Sequence, residues 1–164
     1  NEYDVNPDVA LGADKWLTLY KHKIDNDSIE SVIKSLRSEG YRIVATTPHE
    51  SNTDLENFKL EKGPVALLFG TELDGLTAEL KKEADEFLKI PMYGFTESLN
   101  ISVSAAVILQ FLTNRLHNSA LNWQLNNDEK NEIKLNWLRK SIRNSSGIEK
   151  EFLSKNINNQ KFRI

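Results

Sequence analysis

The chain reads IPMYGFTESLNISVSAA from Ile90 to Ala106, and this stretch decides the fold. A short apolar strand end runs into a polar turn, and an apolar helix with many small residues follows. The turn carries Ser98 and Asn100, whose side chains can form hydrogen bonds, and the start of the helix leaves backbone N–H groups without intrahelical partners. A ligand site can therefore form here, although helix capping alone would also account for either side chain.

Strands and helices alternate before this stretch. The hydrophobic patterns predict strands at residues 14–22, 41–46, 65–69 and 87–90, and helices at residues 28–39, 77–86 and 101–116. Such alternation predicts an α/β fold, in which a parallel sheet has helices on both faces. Ligands of these sheets bind outside the carboxyl ends of the strands, where the turn at Ser98 lies.

A second polar turn, FGTELDGLT from Phe69 to Thr77, follows the strand at residues 65–69. It is close to a phosphate-binding loop, but Leu76 stands where that loop needs lysine, and two carboxylates would repel a triphosphate. A neutral or cationic ligand that the backbone approaches fits this turn better. The alternative is a tight strand-to-helix turn that uses its glycines only for their backbone freedom.

Composition favours a single α/β domain followed by a helical tail. The 164 residues are 39% hydrophobic, which is enough for one substantial core. The sequence has no apolar run of about 20 residues and no recognisable signal peptide, so we expect a soluble, cytoplasmic protein. It has no cysteine and three isolated histidines, so we expect neither a disulfide nor a metal cofactor.

The formal net charge of −3 hides an asymmetry along the chain. Residues 1–114 carry 11 Lys and Arg against 19 Asp and Glu, whereas residues 115–164 carry 10 against 5. Such a local positive field attracts phosphate backbones, and the alternative is an ordinary solvated helix surface. The expected RNA contacts are Arg115, His117, Arg139, Lys140 and Arg143.

Together, the two turns resemble the SpoU/TrmH class of SPOUT RNA ribose methyltransferases. The second motif of that family ends an apolar strand with glycine, has glutamate two residues later and then a further glycine, matched by Gly70, Glu72 and Gly75. The third motif is a proline-containing strand end followed by Ser-Leu-Asn and a small-residue helix. Its matches are Ile90, Pro91, Ser98, Leu99, Asn100 and Ser102. The similarity covers residues 14–116, and the tail looks like the C-terminal helices of TrmH-type members.

The resemblance implies a deep trefoil knot and a homodimer with the helix after Asn100 at the interface. It also implies a pocket for S-adenosylmethionine, whose sulfonium cation suits the carboxylate-bearing turn. Backbone groups near Thr46, Thr47, Gly70, Ile90 and Leu99 would hold this cofactor. We expect a SPOUT-type methyltransferase domain at residues 1–117 and a basic helical tail at residues 118–164.

Ribose methylation also needs a group that accepts the proton of the 2′-hydroxyl. The resemblance implies an arginine of a first motif, Asn-x-x-x-x-x-Arg, with Glu72, Ser98 and Asn100 as orienting groups. No such pattern precedes Trp16. We therefore expect a chain that begins after its first motif and is poorly active by itself.

The function expected from this resemblance is 2′-O-methylation of a D-loop guanosine in tRNA. The alternatives are an rRNA methyltransferase of the same family, a non-catalytic RNA-binding or dimerisation module that keeps the pocket, and an unrelated nucleotide-binding α/β protein that binds ATP.

Overall fold

The computed structural model describes residues 10–22, 29–48, 53–71 and 74–160, with side chains up to residue 155. The chain forms two compact units. One combines Asn1–Lys21 with Gln124–Ile164, and the other is His22–Trp123. Within the described ranges, no helix is long and apolar enough to cross a membrane.

The unit His22–Trp123 is built on a four-stranded sheet in the order β2-β4-β1-β3. The strands are β1 (Arg42–Thr46), β2 (Thr53–Asp54), β3 (Val65–Leu68) and β4 (Glu86–Lys89). Every pair is parallel, which confirms the predicted α/β sheet. Strand β1 is one of the two inner strands, and its Ile43, Val44 and Ala45 are fully buried, as expected for a strand covered on both faces.

Among the described residues of this unit, three α-helices accompany the sheet: α1 (Ile29–Ser38), α2 (Ala78–Lys82) and α3 (Ile101–His117). Helix α1 packs against β1 and buries Ile33. The start of α2 is capped by Thr77, whose hydroxyl accepts a hydrogen bond from the Leu80 N–H. All three helices lie where the sequence predicts them, although α2 ends at Lys82, four residues early.

The core of this unit lies between the sheet and α3. Its buried cluster contains Val44, Leu55, Phe58, Leu88, Ile108 and Leu112. Ile108 and Leu112 are four residues apart and therefore share one face of α3. Burying a side chain of this size stabilises the fold by about 1.5–3 kcal/mol. This packing holds α3 against the strands and brings its first turn to their carboxyl ends.

The other unit is helical. A 3₁₀ helix at Ala13–Trp16 precedes α4 (Asn127–Ser141) and α5 (Ser145–Gln160). Trp16 contacts Trp137 edge to face, with ring centroids 5.3 Å apart, and the Lys140 ammonium donates to the Leu17 carbonyl at 3.0 Å. The start of α4 has a capping box, in which Asn126 and Glu129 satisfy each other's backbone N–H groups.

Two sequence-based expectations are wrong. Residues 14–22 form no strand, because Trp16 packs on α4 instead of joining the sheet. The polar run at residues 144–147 predicts a break with the last helix after it, but the break lies at residues 142–144, where the φ of Asn144 is +59°, and α5 already begins at Ser145. The short strand β2 was not predicted, since two residues give no alternating pattern. The trefoil knot stays a prediction.

Candidate active site

A cavity of about 520 Å³ opens at the carboxyl ends of β1, β3 and β4. This edge of a parallel sheet is where α/β proteins bind their ligands. The cavity is lined by both polar turns, by α2 and by the first two turns of α3. Tertiary structure therefore joins stretches that are about 30 residues apart in the chain.

The cavity gathers most of the residues that the sequence singles out. The lining includes Thr46, Thr47, Gly70, Ile90, Ser98, Leu99 and Asn100. Glu72, the third expected orienting group, lies outside the described residues. Every described residue predicted for catalysis or cofactor binding therefore contributes to one cavity.

The turn after β3 folds back on itself at Gly70. Thr71 and Gly75 exchange two backbone hydrogen bonds of 3.0 Å, and the Asp74 N–H donates to the Thr71 hydroxyl at 3.1 Å. A Cβ on Gly70 would lie 2.0 Å from the carbonyl carbon of Gly75. Glycine is therefore required at this position for the turn itself, and the same tight turn forms one wall of the cavity.

The turn before α3 is organised by Asn100. Its side-chain oxygen accepts a hydrogen bond of 2.8 Å from the Ser102 N–H and so caps the helix. The Ser104 hydroxyl donates to the Leu99 carbonyl at 3.4 Å. Capping therefore fixes the position of this side chain, which lines the cavity.

Both turns also lie within a region that matches a known family. Residues 3–110 match the SpoU rRNA Methylase family. The chain belongs to this family. The resemblance that the two turns carry is thereby confirmed.

Two relatives with assigned functions are tRNA-modifying enzymes. The chain is 42% identical over 149 residues to the tRNA (guanosine(18)-2'-O)-methyltransferase of Borreliella burgdorferi, a match that covers 91% of this chain and 66% of the relative. It is 38% identical over 98 residues to the Thermus thermophilus enzyme of the same name, covering 60% of this chain and 48% of the relative. The chain thus spans between about half and two thirds of these curated relatives.

The fold has a matching crystal structure. The A. aeolicus TrmH/SpoU tRNA modifying enzyme superposes with a TM-score of 0.70 at 26% identity. The match covers 85% of this chain and 70% of that chain. The order and direction of the strands therefore belong to a SpoU fold.

Two threonines, Thr46 and Thr47, line the cavity at the end of β1. The Thr46 hydroxyl donates to the Leu68 carbonyl at 2.8 Å, and the Thr47 N–H donates to the Leu88 carbonyl at 3.1 Å. These bonds tie the end of β1 to β3 on one side and to β4 on the other. The threonines thus hold together the three strand ends around which the cavity is built.

The cavity has a mixed electrostatic character. Its described charged residues are two carboxylates, Asp74 and Glu97, and two ammonium groups, Lys81 and Lys89. The Lys89 ammonium lies 3.5 Å from the carboxylate of Asp54. Sequence reasoning missed both lysines. In the sequence, the position of Lys89 at the end of β4 was the one feature that indicated a place at this edge of the sheet. Lys81 enters the cavity only because α2 packs beside it.

Two of the expected RNA contacts lie near the end of α3 and are already engaged within the fold. Arg115 donates to the Leu55 carbonyl at 3.3 Å, and its guanidinium lies 5.8 Å from the centroid of the Phe111 ring. His117 stacks on Trp123 with ring centroids 4.4 Å apart. These contacts stabilise the end of α3, and Arg115 is half-buried by them.

The other three expected RNA contacts belong to the helical unit. Arg139 forms an ion pair of 2.7 Å with Glu149, and Lys140 donates to a backbone carbonyl. Arg143 is exposed. Of these three side chains, Arg143 therefore offers its charge to solvent most directly.

Proposed function

We propose that this chain binds S-adenosylmethionine and belongs to an enzyme that methylates the ribose 2′-hydroxyl of guanosine 18 in the D-loop of tRNA. The observation that carries the proposal is that both SpoU motif turns line one cavity at the carboxyl edge of the sheet. The activity named for the relatives from Borreliella burgdorferi and Thermus thermophilus supports this choice of substrate.

The character of the cavity suits this cofactor. Its volume of about 520 Å³ lies in the range of about 300–1,000 Å³ typical of small-molecule sites. S-adenosylmethionine carries a sulfonium, an ammonium and a carboxylate beside an aromatic adenine ring whose faces accept apolar contacts. The two carboxylates, the two lysines and the apolar side chains of Leu76, Ile90 and Leu99 offer complementary groups for each part.

In the proposed reaction the ribose 2′-oxygen attacks the methyl carbon in line with its bond to sulfur. The carbon–sulfur bond breaks, S-adenosylhomocysteine leaves, and the hydroxyl proton passes to a base. Proximity and alignment lower the barrier, and a base contributes roughly 10²–10⁴-fold. The proposal assigns to Asn100 and Ser98, which line the cavity, the role of orienting the ribose. The 164 residues contain no Asn-x-x-x-x-x-Arg pattern, so the arginine implied by the family resemblance is not among them.

The proposal includes a homodimer formed through α3. This helix buries Ile108 against the sheet but leaves Val103, Val107 and Leu109 between 38% and 51% exposed. A second copy would cover these side chains, because a symmetric interface uses the same patch on both subunits. Sedimentation of the chain should give twice its mass of 18.8 kDa, and replacing Val103 and Val107 together by Ser should give the single mass.

The second candidate is rRNA methylation, which is favoured by the family's own description. The two functions share the cavity and the reaction and differ only in the RNA. A transfer assay distinguishes them. Tritiated methyl transfer by the complete product of the gene should label a tRNA transcript and leave rRNA unlabelled.

A matched control comes from a tRNA whose guanosine 18 is replaced by 2′-deoxyguanosine. It keeps the base and removes the acceptor oxygen, so it should take up no label. Label in rRNA alone would contradict the tRNA assignment, and label in the deoxy control would contradict ribose methylation at this position. Calorimetry of the 164-residue chain with S-adenosylhomocysteine tests the cofactor site independently of transfer.

A further inference from the structure

Two aromatic side chains stand fully in solvent beside the cavity. Tyr93 and Phe95 are 93% and 108% exposed, more than any other large hydrophobic side chain in the described ranges. They lie in the loop between β4 and the Ser98 turn. Met92 and Glu97, on either side of them in the chain, line the cavity. The two rings therefore belong to its rim.

Packing within this chain does not explain why aromatic side chains occupy positions 93 and 95, because both rings are exposed. An aromatic side chain normally buries about 150–250 Å². Phe58, by contrast with the two exposed rings, lies in the core cluster, and Phe111 packs against it. Between the two exposed rings, Gly94 has a φ of +103°, which favours glycine, and nothing lies within 4 Å of its missing Cβ. Glycine is therefore favoured at this position by the backbone conformation of the loop and not by the need to leave space for a neighbouring side chain.

We propose that Tyr93 and Phe95 form a stacking rim that holds an unstacked nucleobase of the substrate RNA at the mouth of the cavity. The inference rests on the proposed function, since it places the base beside the ribose that is methylated. Sequence-specific RNA recognition takes bases from loops and stacks them on aromatic side chains. The rim would thus favour a looped nucleotide over one in a duplex.

The surroundings of the rings favour RNA over a second protein copy. Thr96, Glu97 and Ser98 follow Phe95 directly, and all three are exposed. The Thr96 and Ser98 hydroxyls suit a wet nucleic-acid interface, and the Glu97 carboxylate counts against a subunit interface, because the centre of such an interface is depleted of charge. We therefore assign the rings to the RNA and leave the apolar side of α3 to the dimer.

Binding measurements test the rim without requiring methyl transfer. Fluorescence anisotropy with a labelled, unmodified tRNA transcript should show that Tyr93→Ala and Phe95→Ala each weaken RNA binding by about 5- to 150-fold, the usual range for one stacked base. Calorimetry should show an unchanged affinity for S-adenosylhomocysteine. Phe95→Trp should keep the RNA affinity, and Phe95→Leu, which is apolar but has no ring face, should lose it. Tyr41→Leu, before the amino end of β1, is the control and should change neither affinity.

A direct signature comes from the chain labelled with 3-fluorotyrosine. The ¹⁹F resonance that disappears in Tyr93→Phe should move upfield when tRNA is added, because a stacked base shields the ring. Full RNA affinity in Phe95→Leu would overturn the rim, and so would a change from dimer to monomer in the two alanine variants. Failure of the unaltered chain to bind S-adenosylhomocysteine would refute the proposed function instead, and the RNA affinities would still decide the rim.

Discussion

Gly70 and Gly75 approach each other so closely that a Cβ on Gly70 would lie 2.0 Å from the Gly75 carbonyl carbon and 2.4 Å from its oxygen. The neighbour is backbone held by the two Thr71–Gly75 hydrogen bonds, so it has little freedom to give way. A substitution at Gly70 should therefore change both the shape of the cavity wall and the stability of the fold.

Gly70→Ala should lower the free energy of unfolding by about 1–3 kcal/mol, because overpacking of this kind forces the backbone to shift. Urea denaturation measures the change. Gly63→Ala is the comparison: its φ is +109° but its missing Cβ meets open space, so it should suffer only backbone strain. A smaller loss for Gly70→Ala than for Gly63→Ala would contradict the steric explanation.

Ser104→Leu should reduce the affinity for S-adenosylhomocysteine at least tenfold, because Ser104 lines the cavity from α3 and the larger side chain would fill it. Calorimetry gives the affinity. Ser102→Leu is a matched control on the same helix, since Ser102 is exposed and is not among the described residues that line the cavity. Equal affinities for the two variants would place the cofactor elsewhere.

Two substitutions separate the capping of α3 by Asn100 from its proposed role in the reaction. Asn100→Asp keeps an oxygen for the Ser102 N–H, whereas Asn100→Ala removes it and should cost about 0.5–2 kcal/mol of stability. Both should reduce turnover by the complete gene product more than cofactor affinity, because both lose the amide donors. Normal turnover in the aspartate variant would show that Asn100 acts only as a cap.

Glu86→Gln tests an ion-pair network at the amino ends of β1 and β4. Burial alone would raise the pKa of Glu86, but hydrogen bonds and positive charges from Lys62 and Arg42 outweigh it and hold the pKa below its ordinary value of 4.5. A lowered folded-state pKa stabilises the protein above the unfolded-state pKa, and this stability is lost as the pH falls through the folded-state value. The substitution should therefore cost about 1–3 kcal/mol at pH 7 and progressively less below about pH 4.5.

Denaturation at several pH values gives this dependence. Glu83→Gln is the control, because its pair with Arg37 is about 40% exposed on both sides and should contribute less than about 1 kcal/mol. A constant cost of Glu86→Gln across the acid range would exclude the ionised carboxylate as the source of the stability.

The basic residues of the chain should contribute unequally to RNA binding. Arg143→Gln should lower the log–log salt slope of tRNA affinity by about 0.7–0.9, the value for one phosphate contact, because this side chain is exposed. Arg115→Gln should leave the slope unchanged and lower the stability, since its guanidinium contacts Leu55 and Phe111. Anisotropy titrations at several KCl concentrations measure both slopes. A lower slope for Arg115→Gln alone would place the RNA at the end of α3.

Local patterns predicted most of the elements that build the site. The spacing of Ile108 and Leu112 marks the buried face of α3, and the apolar run Ile43–Ala45 marks a covered strand. The Ser-Leu-Asn turn and the glycine turn after β3 indicated the family. These features can be recognised from the sequence because periodicity and turn chemistry depend on residues that are neighbours in the chain.

The same local patterns are ambiguous where a distant partner decides the structure. Residues 14–22 have the composition of a strand, yet Trp16 finds its partner 121 residues away in Trp137. The charge of Arg115 predicts an RNA contact, but no local pattern shows that its guanidinium also donates to the carbonyl of Leu55, 60 residues away. Lys81 and Ser104 reach the cavity only because α2 and α3 pack around the ends of the strands.

The sequence by itself determined the fold class, the family and the two turns that form the site, because each is encoded by short-range spacing. Only the tertiary structure decided that β1 lies between β3 and β4, that both turns share one cavity, and that two aromatic rings stand at its rim. These arrangements depend on how separate elements bury their apolar faces against one another. The free energy of this burial depends on both partners, so the sequence of one segment does not show which other segment it packs against.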